Sequence, residues 1–433
     1  MATTANGIGD FSAGFEKIIQ PFIQDNIPDQ TKLLKVLKTN DNVQIMNNNF
    51  FVTIRSGRHG GVQTLANDKS KLNTGGAPLS QGTLAPVYLA AAFDISDVAI
   101  KASRSNRQAL QSDLTFQAQA LVKDFSKQAN RQYFSDGVGI VAQVLESSGS
   151  VGVGTLAIEY PNQNCGTFDT RATSFYGTGA GGINGDIQPW AKYFAPGNII
   201  GMGSGGTSVG TISSGGTAVQ GGTAQGTLIM TGAPSNAISG SMPVYILDAD
   251  ADAAGTSEVQ GFRSALSEGT GNYMGLPRST ATWQPQIMGT ASNQSLSIPN
   301  MEALYYAAYE YATPGDRYVW FCNKSLYTRF GDLLTSLRKT VNKTELVSGW
   351  SGFAFQAGMD EVPVMLDYDC PDGEMVLVNL DTWTVCELAP MGFVQDEMLR
   401  RADYITFQKV FSWYTNLACR APAANGRMVR QTR

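Results

Sequence analysis

The sequence predicts an α+β fold organised around one long helix. From Val87 to Asp136 there is neither glycine nor proline, in a chain that carries 47 Gly and 17 Pro, and such a gap marks uninterrupted regular structure. Within it Leu110, Leu114, Ala118, Leu121, Phe125 and Ala129 recur at three- and four-residue steps, which lines one face of a helix. Arg107, Asp113, Lys123, Asp124, Lys127 and Arg131 fill the remaining faces. A helix over residues 105–134 would run about 45 Å, at ~1.5 Å per residue. Its apolar stripe is one residue deep, so it must lie on a sheet as a brace. The other two observations are strand-like runs before this helix and mixed helical and strand periodicity after it.

Ahead of the helix, residues 11–38 hold amphipathic turns on both sides of Pro28: Phe15, Ile18, Ile19, Phe22 and Ile23, then Leu33, Leu34, Val36 and Leu37. Proline breaks the pattern into two short helices, neither long enough to fold alone. Residues 50–54 and 87–100 are rich in apolar and β-branched side chains and read as strands. The glycine-rich stretch 55–86 between them has little hydrophobic pattern, and a loop of that length is uncommon within a compact domain. A hairpin whose tip has no core to join projects from the body and leaves strand edges for a neighbouring chain to cover.

After the helix, glycines at 137 and 139 lead into a turn-rich tract with a low-complexity Gly, Ser and Thr centre at 201–232. Short runs such as 227–230 and 243–247 predict short strands in a small sheet or barrel, with flexible linkers as the alternative. Residues 299–312 and 325–339 show helical spacing, and 317–322, 362–366 and 375–380 read as strands. Pro371 and Gly373 are placed for a type I turn from Cys370. Residues 404–419 alternate aromatic and β-branched side chains as one long strand. Arg420, Arg427, Arg430 and Arg433 follow, and a solvated basic tail is the simpler reading of them, ahead of a contact with nucleic acid.

Composition narrows the function. At 433 residues the chain exceeds one compact core and predicts two or three subdomains. A net charge of -5 argues against sequence-independent nucleic-acid binding by the whole surface. Charged residues make up only 15%, below the usual quarter of a soluble protein, so much of the surface is expected to be buried against neighbours. Cys165, Cys322, Cys370, Cys386 and Cys419 show no paired spacing and predict reduced thiols in a cytoplasmic setting. No secretory signal is legible at the start, and the longest apolar run, residues 88–93, is too short to span a bilayer. A soluble protein made in the cytoplasm, with no membrane partner, is the expectation.

No motif predicts an enzyme. Gly206-Thr-Ser-Val-Gly210 matches the hydrolase pattern around Ser208, but it falls in the Gly, Ser and Thr tract, and the only histidine is His59 in the projecting loop. Residues 177–182 fit a dinucleotide glycine pattern without a helix opening after them. Asp248, Asp250 and Asp252 imitate a calcium loop, yet Ala253 and Val259 stand where glycine and glutamate are required. No His/Cys cluster could hold zinc. Catalytic, cofactor and metal residues are therefore expected to be absent.

The order of parts resembles the major capsid proteins of tailed bacteriophages, with their Hong Kong 97 (Johnson) fold. Residues 15–38 look like the N-terminal arm, 43–100 like the extended loop, and 104–136 like the spine helix. Asp136-Gly-Val-Gly-Ile-Val-Ala is similar to the glycine-rich exit from that helix. Gly271-Asn-Tyr-Met-Gly-Leu-Pro-Arg-Ser279, with Trp283 after it, looks like the approach to the axial domain, and residues 417–428, with Arg420-Ala-Pro and Asn425-Gly-Arg, resemble the usual terminus. The resemblance implies an N-terminal arm over 1–42, an extended loop over 43–100 and a peripheral domain over 101–296. An inserted β-rich subdomain lies at about 150–260, an axial domain at 297–395, and a return to the peripheral domain at 396–433.

It further implies a major capsid protein, not an enzyme, whose copies assemble as hexamers and pentamers into the icosahedral head of a double-stranded DNA phage. That head would enclose DNA without sequence-specific binding. Portal and decoration proteins are possible partners, and the missing charged prodomain points to a separate scaffolding protein or to earlier processing. Lys69 and Lys71 sit where one branch of the family forms cross-links to a neighbour's asparagine, but no matching Asn or assisting Glu is identifiable. An encapsulin-like compartment, a β-rich tail or surface-binding protein, and a hydrolase are the other readings.

Overall fold

The computed structural model describes residues 32–37, 39–40, 44–65, 71, 74–96, 107–144, 155–159, 193–194, 197–203, 208–219, 225–230, 242–247, 258–267, 271–279, 283–289, 294–336, 344–345, 351–357, 360–371, 373–394, 399–400 and 406–432. The long helix is present over Arg107–Phe134; the start expected at 104–106 and the first helix of the arm lie outside the described residues. The second short helix is Lys32–Val36, with Leu33 and Leu37 buried in the main core. No described helix is long and apolar enough to cross a membrane.

The long helix braces a five-stranded sheet. At its centre is Thr406–Cys419, flanked by Trp383–Phe393 and by Val87–Ser96, both antiparallel to it. Ala118, Val122, Phe125 and Ala129 face the sheet, and the Phe125 ring meets Phe411 edge-on at 5.1 Å. Leu121, expected in the stripe, is only half-buried, and Val122 takes its place. The last turns depart further from a surface brace. Residues 129–134 are all buried, including Asn130, Arg131 and Gln132, because Phe134 and Phe262 pack together there and Phe262 meets Trp383. Arg131, expected on a solvated face, is one correction that follows.

The helix stops where the chain turns left-handed at Gly137 (φ 86°) and Gly139 (φ 82°), conformations that glycine adopts without strain. Gly261 is needed for a different reason: a Cβ there would collide with the backbone carbonyl of Tyr133. Gly261→Ala should therefore lower stability by roughly 1–3 kcal/mol, read as a shift in the denaturation midpoint.

A second, seven-stranded sheet runs in the order Gln286–Met288, Gly426–Met428, Met375–Asn379, Tyr318–Cys322, Asp360–Leu366, Ser351–Ala357, Thr344–Glu345. Its two central strands are buried along their whole length, as expected of a sheet covered on both faces. Tyr318, Trp320 and Cys322 pack under the helices Ile298–Tyr309 and Lys324–Ser336, while Val319 and Phe321 join the main core. Pro299 as the second helical residue and Ser297 as cap start the first helix, the Ser297 hydroxyl accepting from the Asn300 N–H. The expected turn closes one residue later than predicted, the Glu374 N–H donating to Pro371 with Gly373 at φ 72°.

The Gly/Thr-rich tract forms a closed six-stranded barrel: Gln225–Met230, Thr155–Glu159, Ile140–Val144, Pro243–Leu247, Ile199–Met202 and Ser208–Val219. Leu156, Ile158, Ile200, Met202, Leu228, Met230 and Val244 fill it. Closure removes the edges that such short strands would otherwise expose.

The tail is the clearest correction. Gly426–Met428 is an interior strand of the seven-stranded sheet, between Gln286–Met288 and Met375–Asn379. Arg420 is exposed, but Arg427 is 1% exposed and residues 422–429 are all buried, so this stretch is structural and no solvated basic tail.

Candidate functional site

Residues 44–84 form the element with the least core of its own. Asn49–Arg55 pairs with Gln44–Met46 on one side and with Leu79–Leu84 on the other. The expected partner, Val87–Ser96, belongs instead to the main sheet. Sequence inspection missed Leu79–Leu84 because only its end residues are apolar. Phe50, Val52, Ile54 and Leu84 root this small sheet in the main core, and the Thr83 N–H donates to the Met274 carbonyl at 3.0 Å.

Beyond Arg55 the two limbs continue as a neck. The Ser56 N–H donates to Pro78 and the Gly60 N–H to Gly76. A Cβ at Gly75 would approach the Gly60 backbone to 2.9 Å, so glycine lets the limbs touch. Apolar side chains stand in the open, Val62 beyond the neck at 62% exposure and Leu79 at its base at 68%. Arg55, Arg58, His59 and Lys71 are exposed as well, and no acidic residue stands among the described residues of the hairpin. On an acidic chain this is a basic, apolar limb with no core beneath it.

Further apolar residues face outward from the body. Phe116 on the long helix is 66% exposed, Tyr88 rests edge-on against Tyr414, and Tyr306, Tyr309 and Tyr311 stand out near the helix Ile298–Tyr309. Scattered exposed apolar residues are ordinary, but several of these are aromatic and stand on a chain poor in charge.

The chemical candidates are not brought together as a site. His59 lies at the exposed hairpin tip, where its Nδ1 accepts from the Gly61 N–H at 3.1 Å. Ser208 opens a barrel strand. Gly210 of the same motif has a packing reason: a Cβ there would run into the Met230 side chain. Residues 177–182, Asp248, Asp250, Asp252, Lys69, Arg433 and Cys165 lie outside the described residues, and Lys71 is exposed. Cys322, Cys370, Cys386 and Cys419 are buried. Burial pushes the Cys386 and Cys419 thiols up to about 12, which keeps them protonated and unreactive.

Buried charges that sequence reading missed tie the elements together. Arg131 pairs with Glu258 across the start of the barrel. Burial disfavours the Arg131 cation, but the Glu258 carboxylate more than offsets this and the net shift is upward. Arg263 stands 3.2 Å and Arg427 4.0 Å from opposite oxygens of the fully buried Glu374. Nothing in local sequence marks these pairs, since each partner lies in a different element.

No family model matches the sequence, and no curated protein matches it. Solved structures do. The chain is similar to a protein of the cyanophage A-1(L) capsid asymmetric unit, with a TM-score of 0.50, 13% identity and 93% of each chain covered. It is also similar to a chain of the native GTA particle capsid, at 0.41, 10% identity, 92% of this chain and 90% of that one. The satellite phage P4 procapsid including size determination (Sid) protein matches at 0.40, 9% identity, with 98% and 97% covered. The likeness to the cyanophage capsid protein, over nearly all of both chains, gives the fold: an α+β fold of the Hong Kong 97 capsid type.

Proposed function

We propose that this chain is the major capsid protein of a tailed double-stranded DNA bacteriophage, assembling as hexamers and pentamers into an icosahedral head. The observation that carries the reading is a capsid fold with a limb, residues 56–78, whose exposed Val62 and Leu65 find no core in their own subunit. Covering such surface is worth roughly 25 cal/mol per Å² before ordering costs are subtracted. Many weak contacts per copy then sum to a strong shell. Heterologous contacts, one patch on a different patch of the next copy, close into rings.

In this reading residues 1–42 are the arm, 43–100 the extended loop, 101–296 the peripheral domain with the spine and the inserted barrel, 297–395 the axial domain and 396–433 the return. The protein has a structural role and no catalytic one. It is located in the virion capsid after assembly in the host cytoplasm, with scaffolding, portal and decoration proteins as partners. An acidic shell avoids gripping the genome and lets DNA slide during packaging.

The encapsulin-like alternative has the same fold and a protein cargo. Particles purified after infection and treated with nuclease decide between them: protected genome-length DNA is expected, and shells holding only protein would overturn the phage reading. A β-rich tail protein would instead appear as trimers or filaments.

A further inference from the structure

Three elements distant in sequence meet at Asn130, near the buried end of the long helix. Its side-chain NH2 donates to Asp367 Oδ1 at 2.9 Å and to Asp369 Oδ2 at 2.7 Å. The Asp369 N–H also donates to Asp367 Oδ1, at 2.9 Å, which holds the two carboxylates side by side just after the strand Asp360–Leu366. The remaining Asp369 oxygen accepts from the Tyr193 hydroxyl at 2.6 Å. Tyr193 packs against the barrel core, and the Arg131 guanidinium lies 5.3 Å over its ring.

Asn130 is 5% exposed and Asp367 is 5% exposed. Like charges this close repel strongly in a site shielded from water, and both hydrogens of one amide are spent on separating them. Burial first, and then the Asp369 charge, push the Tyr193 phenol well above its ordinary range, so it remains a donor to that carboxylate.

We infer that Asn130 is a positioning residue that couples the seating of the barrel to the loop 367–369, so that a shift of the second sheet reaches the barrel through Asp369 and Tyr193. Hydrogen-bond networks of this kind carry energetic coupling between elements. The inference does not depend on shell assembly and holds for the subunit by itself. Among the described residues, the charged and titratable groups at the junction include Asp367 and Asp369 from the loop, Cys322 from the strand Tyr318–Cys322 beside Asp367, Tyr193 from the approach to the barrel, and Arg131 from the helix with its partner Glu258.

Hydrogen exchange of the full chain, each variant compared with wild type at the same pH, tests it. In Asn130→Asp a third carboxylate replaces the donor. At about pH 7.5 residues 197–203 and 367–371 should exchange about tenfold faster than wild type, with the helix Ile298–Tyr309 unchanged. At about pH 4.5 the difference should largely disappear, because a proton on the introduced carboxyl restores a donor. Asn130→Leu has no donor and should stay fast at both pH values. Tyr193→Phe, a smaller change, should speed exchange at 197–203 and leave 367–371 as in wild type. Wild-type exchange at 197–203 in both Asn130→Asp and Tyr193→Phe would overturn the inference, as would equal recovery of the Asp and Leu variants at low pH.

Discussion

Replacing residues 57–77 by a short turn should leave a folded subunit that forms no closed shells. The cut spares the paired strands Asn49–Arg55 and Leu79–Leu84, whose buried Phe50, Val52, Ile54 and Leu84 belong to the main core. Above the neck no described side chain joins that core, so its removal takes little from folding, and the thermal midpoint should move by only a few degrees. The same residues supply the exposed Val62 and Leu65 and the positive charges Arg58 and Lys71, which in the assembly account lie on another copy. Electron microscopy of the variant then shows free subunits or open fragments. Normal particles would remove the hairpin from the assembly mechanism.

Glu374→Ala should be the most damaging single substitution for stability. The carboxylate is fully buried between Arg263 and Arg427, which are themselves 11% and 1% exposed at the side chain. Removing one member of a buried ion cluster strands the other charges away from water, a loss of about 3–5 kcal/mol. The effect should be global, because Arg427 lies on an interior strand of the seven-stranded sheet and Arg263 on the short helix Phe262–Ala265 that packs beneath the long helix. Denaturant unfolding followed by tryptophan fluorescence reads it, since Trp320 and Trp383 are buried in the two adjoining cores. A midpoint within error of wild type would show that the three groups are not acting as a unit.

What the sequence made legible follows a physical divide. The long helix, the strand Thr406–Cys419 and the helices Ile298–Tyr309 and Lys324–Ser336 rest on local periodicity over many residues, and they stand close to where that periodicity puts them. Leu79–Leu84 does not, since its two apolar residues carry no alternation by themselves. Arg131 and Arg427 were legible only as charges, and charges are solvated by default; their burial depends on Glu258 and Glu374, which come from other parts of the fold. The barrel shows both sides. Turns dense enough for short strands are visible in composition, whereas closure depends on pairings such as Gln143 with Glu159 and Gly201 with Val209 that no local signal specifies. The projecting limb was visible as an absence of pattern, and the structure supplies its root, its neck and its charge.

Hydrogen exchange at residues 56–65, in the free subunit and in assembled particles, tests most directly whether this subunit is completed by its neighbours. The account predicts fast exchange in the free chain and strong protection once copies associate. A monomer that stays monomeric at high concentration, with those amides already protected against its own body, would contradict it.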